Sequence, residues 1–317
     1  MPDTEWFARA RWGVFCHYLT APQTPAEEWH RRVDAFDVQD LARQLQSVGA
    51  GYFFMTVGQG SGHYCAPNET YDTIAGLRPS KCSRRDLVSD LYDALHPLGI
   101  HLLVYAPADG SNADWEARKG LKLDAHWHEA EQLDWRSSAQ WGVYRLPAFQ
   151  RNWEAVCRDW ALRWERKVRG WWIDGAYAAD VRYPEDEEPN LRSYAAALRA
   201  GNPDAILAFN PGVRVPVIHY SDHEDYTAGE ISTALPACPG PFVAGPSGHA
   251  DRYHVLSYLG ERWGGDQAPR FPDDLICGYT EHVTAKGGVM TWDVPILESG
   301  RIPEPFVRQL GAIGARL

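Results

Sequence analysis

Residues 168–175 read Val-Arg-Gly-Trp-Trp-Ile-Asp-Gly. A short apolar run of this kind is the signature of a strand buried on both faces of a parallel sheet. It stops at Asp174 and then at a glycine. In a barrel of alternating strands and helices, a carboxylate at the carboxyl end of a strand faces the active site. An Asp that merely opens a turn is the plainer reading of such a position. The two tryptophans beside Asp174 favour a pocket, because aromatic rings line sugar-binding sites.

Working outward, similar runs predict strands at 11–18, 51–57, 100–106, 168–174, 205–210 and 288–294, with weaker candidates at 226–231 and 253–259. Eight strands close a (β/α)8 barrel of about 250 residues. Amphipathic patterns place helices between them at 37–48, 84–97, 149–166, 190–200, 271–286 and 304–316. Ser83 with Asp86 three residues on predicts a capping box, and Gly49 and Gly99 predict helix stops. Strand–helix alternation implies a parallel sheet covered by helices. The rival is an open doubly wound sheet, but no Gly-x-Gly-x-x-Gly follows the first strand. The expectation is an α/β, TIM-like (β/α)8 barrel forming a single domain over residues 1–317, without a C-terminal β-sandwich.

The net charge of −11 argues against nucleic acid or an anionic membrane as partner, since both need a basic face. A neutral, polyhydroxylated small oligosaccharide or glycoside is compatible with it, as is a homo-oligomeric state. The acidic run Glu185–Glu188 reads as a solvated loop. Six scattered cysteines without a Cys-x-x-Cys pair fit reduced thiols better than a disulfide framework or a zinc knuckle. No signal peptide or run of 18 apolar residues is visible, so the expected location is the cytoplasm. The 14 tryptophans exceed the usual share, and each buried indole N–H needs a partner, so some of these rings are expected at a cleft.

Strand tips then nominate His17, Gln59 with His63 and Tyr64, Tyr105 with Asp109, Asp174, Asn210, Glu230, and Trp292 with Asp293. A pair of carboxylates is the economical chemistry here. Retaining glycosidases hold the two about 5–5.5 Å apart and inverting ones about 6.5–9.5 Å. Asp222, His223, Glu224 and Asp225 are possible ligands for a hard ion, but adjacent positions rarely face one ion, and no metal or other cofactor is expected. His126 and His128 alternate as on a strand, yet without a third ligand they read as surface residues. No Gly-x-Ser-x-Gly elbow supports acyl transfer.

Taken in order, these segments resemble the retaining α-L-fucosidase family of glycoside hydrolases. Trp12-Gly13-Val14-Phe15-Cys16-His17-Tyr18 is similar to its Phe-Gly-(Ile/Leu)-Phe-x-His-Trp-Gly, which places His17 on the sugar. Glu28-Trp29 matches its Glu-Trp-Tyr step, and Arg85-Asp86-Leu87-Val88 through Tyr105 matches its Arg-Asp-(Leu/Ile)-Val … Tyr-Tyr-Ser stretch. Trp172-Ile173-Asp174-Gly175 matches the Trp-x-Asp-Gly around the family's nucleophile, so the resemblance implies that role for Asp174. Asp225 to Glu230 resembles Asp-(Phe/Tyr)-x-Thr-Pro-Glu, and Lys286 to Ile302 resembles the family's Gly-Gly-rich closing segment.

Two departures bear on the sugar and the acid. The family's Lys-His-His-Asp-Gly-Phe is replaced by residues 57–64, Val-Gly-Gln-Gly-Ser-Gly-His-Tyr, leaving Gln59 or His63 to stand in for its His pair. Its Trp-Glu falls near Tyr253-His254, ahead of Trp263-Gly264-Gly265, so Glu230 comes forward as acid/base by default. The resemblance thus implies an exo-acting retaining hydrolase of a terminal α-linked sugar. Its catalytic pair is Asp174 and Glu230, and its pocket is built from His17, Glu28, Trp29, Gln59, His63, Tyr64, Tyr105, Trp172, Asn210, Trp263 and Trp292. A barrel glycosidase acting on another sugar and a non-catalytic carbohydrate-binding relative are the alternatives.

Overall fold

The computed structural model describes residues 2–123 and 145–317. Among the described residues nine strands are formed: β1 (Trp12–Cys16), β2 (Tyr52–Thr56), β3 (His101–Pro107), β4 (Gly170–Asp174), β5 (Ile206–Phe209), β6 (Phe242–Ala244), β7 (Ala250–Arg252), β8 (His254–Tyr258) and β9 (Val289–Val294). Seven make one sheet in the order β5-β4-β3-β2-β1-β9-β8, with every pairing parallel. The stretch 226–231, expected as a strand, forms isolated bridges instead. Asp225 donates its N–H to the Leu207 carbonyl at 2.8 Å, and Ile231 donates to the Leu256 carbonyl at 3.0 Å. It thereby lies between β5 and β8, the two edges of the curled sheet. This α/β arrangement is compatible with a TIM-like barrel.

Alternation along the strands divides the apolar residues into two sets. Phe15, Phe54, Leu103, Tyr105, Trp172, Ala208, Tyr226 and Leu256 pack together inside the curl. Val14, Phe53, Val104, Trp171, Leu207 and Trp292 face the other way, into the core shared with the helices. The expected helices are found at Val38–Ser47, Leu87–Leu95, Pro147–Trp164, Leu191–Leu198, Asp273–Ala285 and Glu304–Gly314. The second is capped by Asp86, whose carboxylate accepts from Ser89 N, rather than by Ser83; the Ser83 hydroxyl instead donates to the Arg85 carbonyl. Gly49 and Gly99 take left-handed φ of 74° and 73°, as helix stops require.

Most of the tryptophans turn out to be structural. On the helix Pro147–Trp164, residues 153, 160 and 164 lie on one stripe and each indole finds an acceptor. Trp153 donates to the Pro107 carbonyl at 2.7 Å, Trp160 to the Pro67 carbonyl at 3.1 Å, and Trp164 to the Asp86 carboxylate at 3.1 Å. Truncating one such ring costs about 3–5 kcal/mol. The six cysteines are buried and free, and residues 185–188 are exposed. No helix among the described residues is long and apolar enough to cross a membrane. His126 and His128 lie outside the described residues.

Candidate active site

Asp174 ends β4, and Gly175 follows with φ of 75°, a left-handed turn that glycine adopts without strain. The turn leaves the carboxylate partly exposed at the mouth of the curl. Two neighbours hold it. The Tyr105 hydroxyl, from the adjacent β3, donates to Oδ2 at 2.7 Å and itself accepts from Gln59 Nε2 at 2.7 Å. Asn210, one residue past β5, donates from Nδ2 to Oδ1 at 2.8 Å.

The same Asn210 nitrogen donates to Glu230 Oε2 at 2.7 Å. Two bonds from one atom set a ceiling on the separation of the carboxylate oxygens. Laid end to end they reach about 5.5 Å, so these two oxygens lie no farther apart than that, short of the inverting spacing. Asn210 is fully buried, and its carbonyl oxygen accepts from Gly212 N at 3.0 Å, so the amide cannot flip without losing all three contacts. Burial first, and the charge of Asp174 second, push the Glu230 carboxyl up to about 7; the Asn210 bond and His17 oppose them. One carboxylate is thus fixed by two donors, while the other is poised to carry a proton near neutral pH.

A recess of about 230 Å³ opens over the pair, lined by Phe15, His17, Tyr105, Trp172, Leu256 and Trp263 among others. Trp172 stacks on Tyr105 at 5.6 Å, and its indole donates to the Ala228 carbonyl at 2.9 Å. His17 Nδ1 meets Asp293 Oδ1 at 2.9 Å, and Asp293 Oδ2 accepts from Gly264 N at 2.7 Å. With Nδ1 engaged, Nε2 is the ring nitrogen available to a ligand. The recess shares Leu19, Gln59, Tyr105 and Asp174 with a larger cleft of about 1020 Å³, which adds Tyr177, Asp109 and residues 211–214. Asp109 in that cleft is bound to the buried Arg182, which compensates its charge.

Of the expected site residues, His17, Gln59, Tyr105, Trp172, Asp174, Asn210, Glu230 and Trp263 converge here. Glu28, Trp29, His63, Tyr64 and Trp292 do not line either cavity. Glu28 pairs with Arg32 one helical turn away. The Trp29 indole donates to the Tyr64 carbonyl at 2.9 Å. His63 Nε2 contacts the Thr24 carbonyl at 2.9 Å, and burial pushes its imidazole down to about 4. The Tyr64 hydroxyl meets Ser111 Oγ at 2.8 Å inside the core. Trp292 points to the helix layer, where it donates to Thr280 Oγ1 at 3.0 Å. It is Asp293, one residue on, that faces inward and positions His17. Phe15, Leu256 and Tyr177 were not singled out by the sequence. For Phe15 the signal was strand parity, which puts it on the face of His17; Leu256 bridges Glu230, and Tyr177 lies past the end of β4, where parity gives no signal.

No family model and no curated protein matches the chain. Solved structures do. The endo-fucoidan hydrolase P5AFcnA of glycoside hydrolase family 107 superposes with a TM-score of 0.71 at 16% identity, covering 99% of this chain and 93% of that one. A second family 107 endo-fucoidan hydrolase, MfFcnA4, gives 0.72 at 15% identity, covering 98% of this chain and only 53% of its own. An α-L-fucosidase of family 29 from Bacteroides thetaiotaomicron, captured as a covalent intermediate with 2-fluoro-fucosyl fluoride, gives 0.61 at 16% identity, covering 98% and 72%. What is shared is the fold. This chain therefore spans from about half to nearly all of the length of the structures it resembles.

Proposed function

We propose that the chain is a (β/α)8-barrel glycoside hydrolase, the stretch 225–231 serving as the remaining stave. It cleaves a terminal α-linked, fucose-like sugar with retention. The observation that supports this reading is the Asn210 amide bonded to both Asp174 and Glu230, which keeps the two bonded carboxylate oxygens closer together than the inverting spacing. Asp174, with its oxygens fixed by Tyr105 and Asn210, attacks the anomeric carbon and forms a glycosyl ester. Glu230, protonated near neutral pH, gives its proton to the leaving oxygen and then takes one from water. The Tyr105–Trp172 stack offers an apolar wall to the C–H face of the ring, and His17 offers a hydrogen bond to a hydroxyl.

The neighbours' names, fucosidase and fucoidan hydrolase, support a fucose-like sugar at the recess. The carbohydrate-binding alternative without a working acid loses support, because Glu230 stands close to Asp174. A second reading rests on the outer cleft. Its size suits a polymeric substrate continuing past the scissile bond, so the enzyme cuts within a chain. Turnover of an aryl α-L-fucoside by the wild type, abolished in a folded Asp174→Asn variant, is the expected result. Undiminished turnover in that variant would refute the nucleophile assignment, and product lengths from a fucose-containing polysaccharide separate exo from endo action.

A further inference from the structure

The residue before Asn210 leads to a second group of titratable side chains. The Phe209 N–H donates to Glu224 Oε2 at 3.2 Å, while Glu224 Oε1 accepts from Tyr220 N at 2.7 Å and Ser221 N at 3.3 Å. Against Glu224 stand Asp251, from the antiparallel β6–β7 hairpin, and His219. One donor atom from each of His219, Glu224 and Asp251 lies within 4.8 Å of the others. Glu224 and Asp251 are 1% and 0% exposed. Among the described residues neither pairs with Lys or Arg; the partners of Asp251 are the imidazoles of His219 and His249.

Two details show that carboxylate oxygens outnumber the donors facing them in this cluster. His219 meets Asp251 Oδ2 through Nδ1 at 2.6 Å and Asp222 Oδ1 through Nε2 at 3.2 Å, so one imidazole is shared between two carboxylates. In addition, Asp251 Oδ1 is buried without a hydrogen-bond partner. His249 Nε2 is 3.1 Å from it but is aligned with the Glu224 carbonyl at 2.7 Å. An orphaned carboxylate oxygen in the interior is costly unless a proton or a metal ion answers it.

We infer that His219, Glu224 and Asp251 bind a divalent transition-metal ion of the zinc class, which clamps the cleft-lining segment 210–224 to the β6–β7 hairpin. The ligand chemistry selects the ion. One imidazole with two carboxylates suits zinc and its neighbours, whereas calcium and magnesium favour all-oxygen sites. A divalent charge balances two buried carboxylates. The surroundings are those of a held ligand set: backbone N–H groups orient Glu224, and Asp222 faces the far nitrogen of His219, as a carboxylate behind a metal-bound histidine does.

The test uses the whole chain, stripped with EDTA and returned to metal-free buffer at pH 7.5. Adding Zn²⁺ to about a hundred times its dissociation constant should raise the melting temperature by about 5 °C. The gain should vanish in Asp251→Asn and persist in His249→Gln. Co²⁺ should give visible d–d absorption bands in the wild type, a readout that survives if Asp251→Asn does not fold. An unmoved melting temperature with Zn²⁺, Mn²⁺ and Co²⁺, an equal gain in folded Asp251→Asn, or the absence of cobalt bands overturns the inference. None of these readouts depends on the glycosidase reading.

Discussion

Replacing Asn210 by Ala tests how the two carboxylates are tuned. Its Nδ2 donates to Glu230 Oε2 at 2.7 Å and so stabilises the ionised form of a carboxyl that burial and Asp174 have raised to about 7. Hydrogen bonds to charged groups contribute about 1.5–3 kcal/mol. At about 1.4 kcal/mol per pK unit, losing one raises the carboxyl by about 1–2 units. Water entering the vacated space recovers part of this, so about 1 unit is expected. With Glu230 in the proposed role of acid, kcat/KM should fall on the alkaline side as its proton is lost. For an aryl α-L-fucoside assayed from pH 5 to 9, the alkaline limb should lie near 7 in the wild type and near 8 in Asn210→Ala. The maximum rate also drops, since the pair loses its spacer. The limb reports the pair as a coupled system, and direction is the decisive observable. A limb that stays in place, or moves toward acid, refutes the account of Glu230.

In Glu230→Gln, kcat/KM for a fucoside with a poor leaving group should fall about 10²–10⁴-fold. A dinitrophenyl aglycone, which departs without protonation, should lose much less in the first step. Equal losses with both substrates would remove Glu230 from the acid role. Arg182→Met strands the buried Asp109 beside Asp174, and denaturant unfolding should show a loss of about 3–5 kcal/mol. Adding Asp109→Asn should recover a large part of it, and no recovery would argue that Arg182 acts by packing alone.

The strands and the longer helices were legible because their apolar periodicity is strong over many residues. The stretch 226–231 was the weak case, and it is the one that bridges both edges instead of forming a ladder. The hairpin of β6 and β7 was missed, since two three-residue strands carry no periodic signal. Asp174, Tyr105 and Asn210 were found as strand tips. Trp292 and Asp293 were named together at their strand tip, but Trp292 was carried into the pocket, because reading a tip without its parity confuses the two faces. The Trp29 indole and His63 Nε2 are instead taken up by backbone carbonyls, and the Tyr64 hydroxyl by Ser111. Of the cluster proposed to hold a metal, only Glu224 was named from the sequence, for another reason. Adjacent acids at 222–225 do not face one point, and the ligands instead come from residues 219, 224 and 251, joined only by the fold.

The central claim is that Asp174 becomes covalently bonded to the sugar. Incubating the protein with 2-deoxy-2-fluoro-fucosyl fluoride slows the second step and lets the ester accumulate. Intact-mass spectrometry should show one fluoro-fucosyl group per chain. Peptide mapping should place it on Asp174, and Asp174→Asn should remain unlabelled. A label on Glu230 or any other carboxylate, or a wild type that turns over α-L-fucosides without ever acquiring one, would contradict the account.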